Sequence, residues 1–157
     1  MVRVVKIVLA ALVITGAAFY FIRSNAAHYP SLVIRDADSG KVYGKWLLNA
    51  AGEFSIEFIH SVHQSPVRET FRAEKDMISP VSVRFASFGA GMQSDVEEGQ
   101  TMIQDGEFMV ISGFKTSYKK LNYIVGTVSD HVLYINGENI SLRELCGRNA
   151  HISIVTK

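Results

Sequence analysis

From residue 31 onward the chain is built of short runs rich in Val, Ile, Phe and Tyr, separated by Gly, Asn, Asp and Pro. Such runs predict strands. The clearest begins at Glu53, where Phe54, Ile56 and Phe58 alternate with Ser55 and Glu57. A period of two marks a strand with one buried face. The pattern predicts strands over 31–35, 42–48, 53–62, 67–74, 81–88, 108–112, 121–128, 131–135 and 151–155. Turn residues fall between them at Asp38-Ser39-Gly40, from Asn49 to Gly52, at Gln64-Ser65-Pro66, at Ser129-Asp130 and at Asn136-Gly137. No 3.6-residue period persists after residue 24, although SLRELC from Ser141 to Cys146 has room for one short helical turn. The expected fold is all-β, an antiparallel sandwich or a partly closed barrel.

The first residues follow a different pattern. Residues 7–22, IVLAALVITGAAFYFI, are sixteen positions without a charge, preceded by Arg3 and Lys6 and followed by Arg23. As a helix this run covers about 24 Å, against a bilayer core of about 30 Å. Val4 and Val5 lengthen it, and Lys6 can snorkel. A cut after Ala27 would put Asn25 at the −3 position, where a small residue is wanted, so an uncleaved signal anchor is expected over 1–24. The excess of positive charge before the run places the N-terminus inside. A connector at 25–30 then leads to an extracytoplasmic β domain at 31–157. The expected location is the cell membrane, single-pass, with the β domain outside. A lone anchor lacking Asp, Glu, His and Lys across residues 7–22 offers no ion pathway. Any role in transport would therefore run through a partner.

Composition narrows the classes further. A length of 157 residues suits one outer domain, and a net charge of +1 gives no reason to expect a nucleic-acid partner. Cys146 is the single cysteine, so neither an intrachain disulfide nor a cysteine-based zinc site is available.

The candidate chemistry lies in FIHSVHQSPVRETF, residues 58–71. Pairing its two strands so that residue numbers sum to 129 sets Val62 opposite Val67, His60 opposite Glu69, Phe58 opposite Phe71 and Glu57 opposite Arg72. His63-Gln64-Ser65-Pro66 then form a four-residue loop. In this register an imidazole and a carboxylate meet on the buried face. Each is costly there alone, and a hydrogen bond between them offsets much of that cost. The pair reads as a polar pin for the hairpin or as part of a recognition surface around the loop. A metal site using His60, His63 and Glu69 lacks familiar ligand spacing. A serine nucleophile at Ser61 would point to the opposite face from His60, and no G-x-S-x-G elbow exists. No cofactor, metal or catalytic residue is assigned, although a hydrolase using His60 and Glu69 as acid and base stays open.

The run H-S-V-x-x-x-P-V-x-E, here His60-Ser61-Val62, Pro66-Val67 and Glu69, is followed by a G-A-G loop at Gly89-Ala90-Gly91. With the N-terminal apolar run, it resembles the domain-of-unknown-function family DUF1850. The resemblance implies a small, single-anchor envelope protein of the kind often encoded beside the fused membrane subunit of TRAP transporters that use TAXI-type receptors. It implies an accessory or docking subunit of a solute uptake system, partnered by a multi-span permease or its receptor. The alternative is a stand-alone small-ligand binding module at the membrane surface. The motif residues carried over are His60, Ser61, Val62, His63, Pro66, Val67, Glu69, Gly89 and Gly91.

Overall fold

The computed structural model describes residues 29–62, 64–86 and 96–157. The expected anchor at 1–24, His63 and the Gly89-Ala90-Gly91 loop lie outside the described residues. Among the described residues, no helix is long and apolar enough to cross a membrane.

The strands are β1 (Ser31–Asp36), β2 (Val42–Leu47), β3 (Glu53–Ile59), β4 (Pro66–Glu74), β5 (Met77–Phe85) and β6 (Thr101–Asp105). They continue with β7 (Phe108–Ser112), β8 (Leu121–Ile124), β9 (His131–Ile135), β10 (Glu138–Ser141) and β11 (His151–Thr156). A five-residue helix, α1 (Leu142–Cys146), stands between β10 and β11. A four-stranded sheet has the order β2-β1-β11-β8, and a seven-stranded sheet the order β10-β9-β3-β4-β5-β7-β6. The assigned pairings are antiparallel. The inner faces meet in one core. Leu32, Ile34, Ile152 and Ile154 of the smaller sheet pack in one cluster with Phe54, Ile56, Phe71, Leu133 and Ile135 of the larger. Each such side chain, fully buried, contributes roughly 1.5–3 kcal/mol. The fold is an all-β sandwich, as the alternation of the sequence predicts.

A smaller cluster forms beyond the main core, where Val67, Phe85 and Ile111 pack with Phe58, Val83, Met102, Met109 and Phe114. It lies under β4, β5 and β7, the side of the larger sheet away from β9.

Two strands escape the sequence pattern. β10 follows a two-residue turn in which Asn136 and Gly137 both take positive φ, 51° and 85°. That turn matches the twist of a hairpin, but the returning strand, Glu138–Ser141, is exposed at its first two residues, half-buried at its last two, and carries no clear alternation. β6 is more exposed still, with Met102 alone half-buried among its residues. β5 starts at Met77 rather than residue 81, because a bulge opposite Thr70 and Phe71 accommodates Pro80 within the strand. The short helical turn expected at Ser141–Cys146 is present, capped by Ser141 Oγ, which accepts from the Glu144 N–H at 3.0 Å.

The hairpin register differs from the expected one. β3 and β4 pair with residue numbers summing to 125: Phe54 meets Phe71, Ile56 meets Glu69, Glu57 meets Arg68 and Phe58 meets Val67. β3 ends at Ile59, and the loop spans residues 60–65. His60 belongs to that loop, where its N–H donates to Ser65 O at 2.9 Å and its carbonyl accepts from the Gln64 N–H at 2.8 Å. Four residues along a strand is roughly 13 Å, so the His60–Glu69 pairing is wrong. The reason is physical. The expected register would set Phe54 against Lys75, whereas the observed one stacks Phe54 on Phe71, ring centroids 5.5 Å apart. It also gives Arg68 to Glu57 at 2.8 Å and Arg72 to Glu53 at 2.6 Å, in place of Glu57 with Arg72. A shift of four preserves the faces, because side chains alternate with a period of two.

Candidate functional site: an inter-sheet cleft at Glu69

On β4, alternation turns Val67, Glu69, Phe71 and Ala73 toward the interior. Val67 belongs to the smaller cluster and Phe71 to the main core. Glu69 is therefore a carboxyl at the junction of two apolar clusters. The opposite sheet supplies its partner. β8 pairs with β11 so that Tyr123 stands beside Ile152 on the inner face. The Tyr123 hydroxyl donates to Glu69 Oε2 at 2.6 Å, a tie between the two sheets. Among the described residues, no second hydrogen bond reaches Glu69.

Around this pair lies a cleft of about 340 Å³. Glu69 and Phe71 of β4 and Val83 of β5 line one side, and Leu121 and Tyr123 of β8 line the other. Phe114 and Tyr118, from the segment between β7 and β8, add to the wall, which Thr70, Pro80, Ser82 and Asn122 also line. Tyr118 is held by its backbone, which exchanges two hydrogen bonds of 2.8 Å with Ile78.

Burial pushes the Glu69 carboxyl above its ordinary value, and the Tyr123 hydrogen bond opposes part of that rise. The Tyr123 phenol is pushed far upward, first by burial and then by the Glu69 charge and hydrogen bond. β9 supplies His131, which meets Tyr123 edge-on with centroids 5.9 Å apart and stacks on Phe58 at 5.2 Å. Its Nδ1 accepts from the Gly126 N–H at 3.1 Å, which leaves the proton of the neutral ring on Nε2. Burial lowers the His131 pKa, with Asp130 opposing and Arg143 adding to the shift. This imidazole packs as a neutral aromatic wedge.

The motif residues thus separate. Glu69 lines the cleft, Pro66 opens β4 and Val67 is core. His60 is half-buried in the loop, while Ser61 is exposed and Val62 is 67% exposed. The acid–base pair imagined for a hydrolase is removed with the register, as is a metal site joining His60 to Glu69. Among the described residues, no three His, Cys, Asp or Glu side chains converge to hold a metal ion. The sequence reading missed Tyr123, His131, Phe114 and Tyr118. The alternation of Leu121 and Tyr123 marks a phenol on an inward face, but nothing local says which carboxyl it meets.

The class is an antiparallel β-sandwich domain with a carboxyl–phenol pair bridging its sheets inside a cleft. The profile of the family described as "Domain of unknown function (DUF1850)" matches residues 54–142, more than half of the chain, and the chain belongs to that family. The match contains the hairpin and every cleft residue named above, and leaves β1, β2 and β11 outside. No curated protein and no solved structure matches the chain.

Proposed function

We propose that the chain is a non-catalytic binding domain, tethered by its N-terminal apolar run to the outer face of the cell membrane, that takes a small solute in the Glu69–Tyr123 cleft. The observation that carries this reading is the cleft itself: about 340 Å³ of largely apolar, aromatic wall converging on one hydrogen-bonded carboxyl. A few polar groups in an apolar concavity is the usual make-up of a ligand site. The test is a thermal-shift screen of the full chain in detergent against amines, amino acids and organic acids. A bound solute at a hundred times its Kd adds about 2.7 kcal/mol of stability. Val83→Trp, which fills the cleft, is expected to remove the shift while the protein still melts cooperatively. A shift that survives Val83→Trp, or no shift from any solute, overturns the reading.

A second, compatible role, which rests on the resemblance of the hairpin motif and apolar N-terminal run, is that of an accessory or docking subunit of a TRAP-type (TAXI) uptake system. In that role the anchor and the β domain would engage a multi-span permease or its receptor. Gly16 with Ala17 and Ala18 offers a small-residue patch for helix packing. Mild solubilisation followed by affinity purification is expected to bring down the permease in stable ratio. Recovery of the chain without any multi-span partner overturns this role.

A further inference from the structure

We infer that the cleft selects a small organic cation, a substituted ammonium on an apolar body, with Glu69 as its counter-charge and the aromatic wall as its cage; this rests on the binding reading above. Three observations lead to it. The first is hydrogen-bond satisfaction. Tyr123 serves Oε2 of Glu69, and among the described residues no donor serves Oε1. A purely apolar occupant would bury that oxygen further and leave it without water, at a cost that an ammonium group avoids by a charge-assisted contact.

The second is the composition of the wall. Phe71, Phe114, Tyr118 and Tyr123 are four aromatic side chains around one carboxyl. Aromatic faces attract cations through the ring quadrupole, most strongly where water is excluded. Phe71 also stacks on Phe54, which holds its ring in place.

The third is charge. Among the described residues lining the cleft there is no Lys, Arg or His, so an anionic ligand would face Glu69 without a counter-ion. A neighbouring depression of about 250 Å³ shares Phe114 and Tyr118 with the cleft and adds Glu97, Glu98 and Lys115. Its formal balance is one further negative charge beside the cleft. Lys119 and Lys120 follow Tyr118 on exposed chain, and neither lines the cleft. Field and contact therefore favour the same sign of ligand.

The experiment uses the full chain in a non-ionic detergent and three probes sharing one ring: benzyltrimethylammonium, benzyl alcohol and phenylacetate. Binding is read by calorimetry, with empty micelles subtracted. The ammonium is expected to bind at least about tenfold more tightly than the alcohol, and phenylacetate not to bind. Glu69→Gln keeps the side-chain volume and an acceptor for Tyr123, and is expected to weaken the ammonium about tenfold. Phe114→Leu, a second variant at the wall, is expected to weaken it severalfold while leaving benzyl alcohol nearly unchanged. Equal binding of ammonium and alcohol, tighter binding of phenylacetate, or an ammonium affinity untouched by Glu69→Gln in a cooperatively melting variant overturns the cation assignment and leaves the binding domain standing. Silence from all three probes overturns the assignment as well, and silence across the wider solute screen overturns the binding domain itself.

Discussion

Glu69 is an ionisable residue on the inner face of a core strand, and its protonation couples to folding. Tyr123 faces it from β8, while the directly paired Ile56 and Val83 on β3 and β5 are apolar. Its folded pKa is raised above the ordinary 4.5, so the folded state keeps the proton where the unfolded chain has lost it. Stability therefore falls as pH rises from about 4.5 through the raised value, and is level beyond. His131, lowered from 6.5, acts in the opposite sense: stability rises with pH from its lowered value up to 6.5. The two groups act in opposite senses, so the difference between the native chain and Glu69→Gln isolates the carboxyl. The native-minus-variant thermal midpoint is expected to decline from about pH 4.5 through the raised value and then level off, and a flat difference throughout would remove the burial argument. Tyr123→Phe strips the one hydrogen bond that restrains this shift. It is expected to cost about 1 kcal/mol in denaturant unfolding and to move the Glu69 carboxyl titration further upward by NMR. Asp36 offers a contrast outside the cleft. The Ser39 N–H, then the Ser39 and Tyr43 hydroxyls, hold it down at about 2. Its contribution is present above the ordinary 3.8 and fades as pH falls toward 2.

Among the elements, the β3–β4 hairpin shows how far pattern reaches. Alternation assigns the faces of Phe54 to Phe58 and of Val67 to Ala73 correctly, including the inward turn of Glu69. It also carries the buried face on to His60 and Val62, which lie beyond β3, and it leaves registers that differ by an even number of residues indistinguishable. The choice comes from neighbours. β9 pairs Ile135 with Phe54 and Leu133 with Ile56, which needs those residues in the middle of the core. Gln64 closes the loop with φ of 51°, and its side chain donates to Ser61 O at 2.6 Å. Double-mutant cycles test the register on its outer face. Glu57 with Arg68, and Glu53 with Arg72, are each expected to couple by about 0.5 kcal/mol, and Glu57 with Arg72 not at all. The first pair has added support, because Arg68 lies 4.0 Å from the Tyr134 ring centroid and the Tyr134 hydroxyl donates to Glu57 at 3.1 Å. The turn before β9 is tighter still. A Cβ at Gly126 would approach Ser129 O to 2.1 Å. Gly126→Ala is expected to cost about 2–3 kcal/mol in thermal unfolding and to loosen the His131 ring it supports.

For the whole molecule, stability concentrates where the sheets meet. Phe54 stacks on Phe71 and is almost fully buried between them, so Phe54→Ala is expected to cost about 3–5 kcal/mol. Ile103, 60% exposed on the edge strand β6, is expected to tolerate Ala within about 0.5 kcal/mol in the same assay. The sheets are also pinned at their rims. Asn136, in the β9–β10 turn, donates through Nδ2 to Leu47 O at 2.7 Å and accepts from the Asn49 N–H at 3.1 Å.

By itself the sequence determined the all-β class, the inward face of each well-patterned strand, the Asn136-Gly137 turn and the short helix at Ser141. These are local properties, set by side-chain period and by the φ angles a residue tolerates. Only the tertiary structure decided that Ile56 rather than His60 lies opposite Glu69, that β8 sits in the other sheet, and that Tyr123 reaches across to the carboxyl. Those outcomes depend on groups as much as 54 positions apart. They are fixed by which packing of two whole sheets buries Phe54, Phe71 and Ile154 together, a sum that no single segment carries.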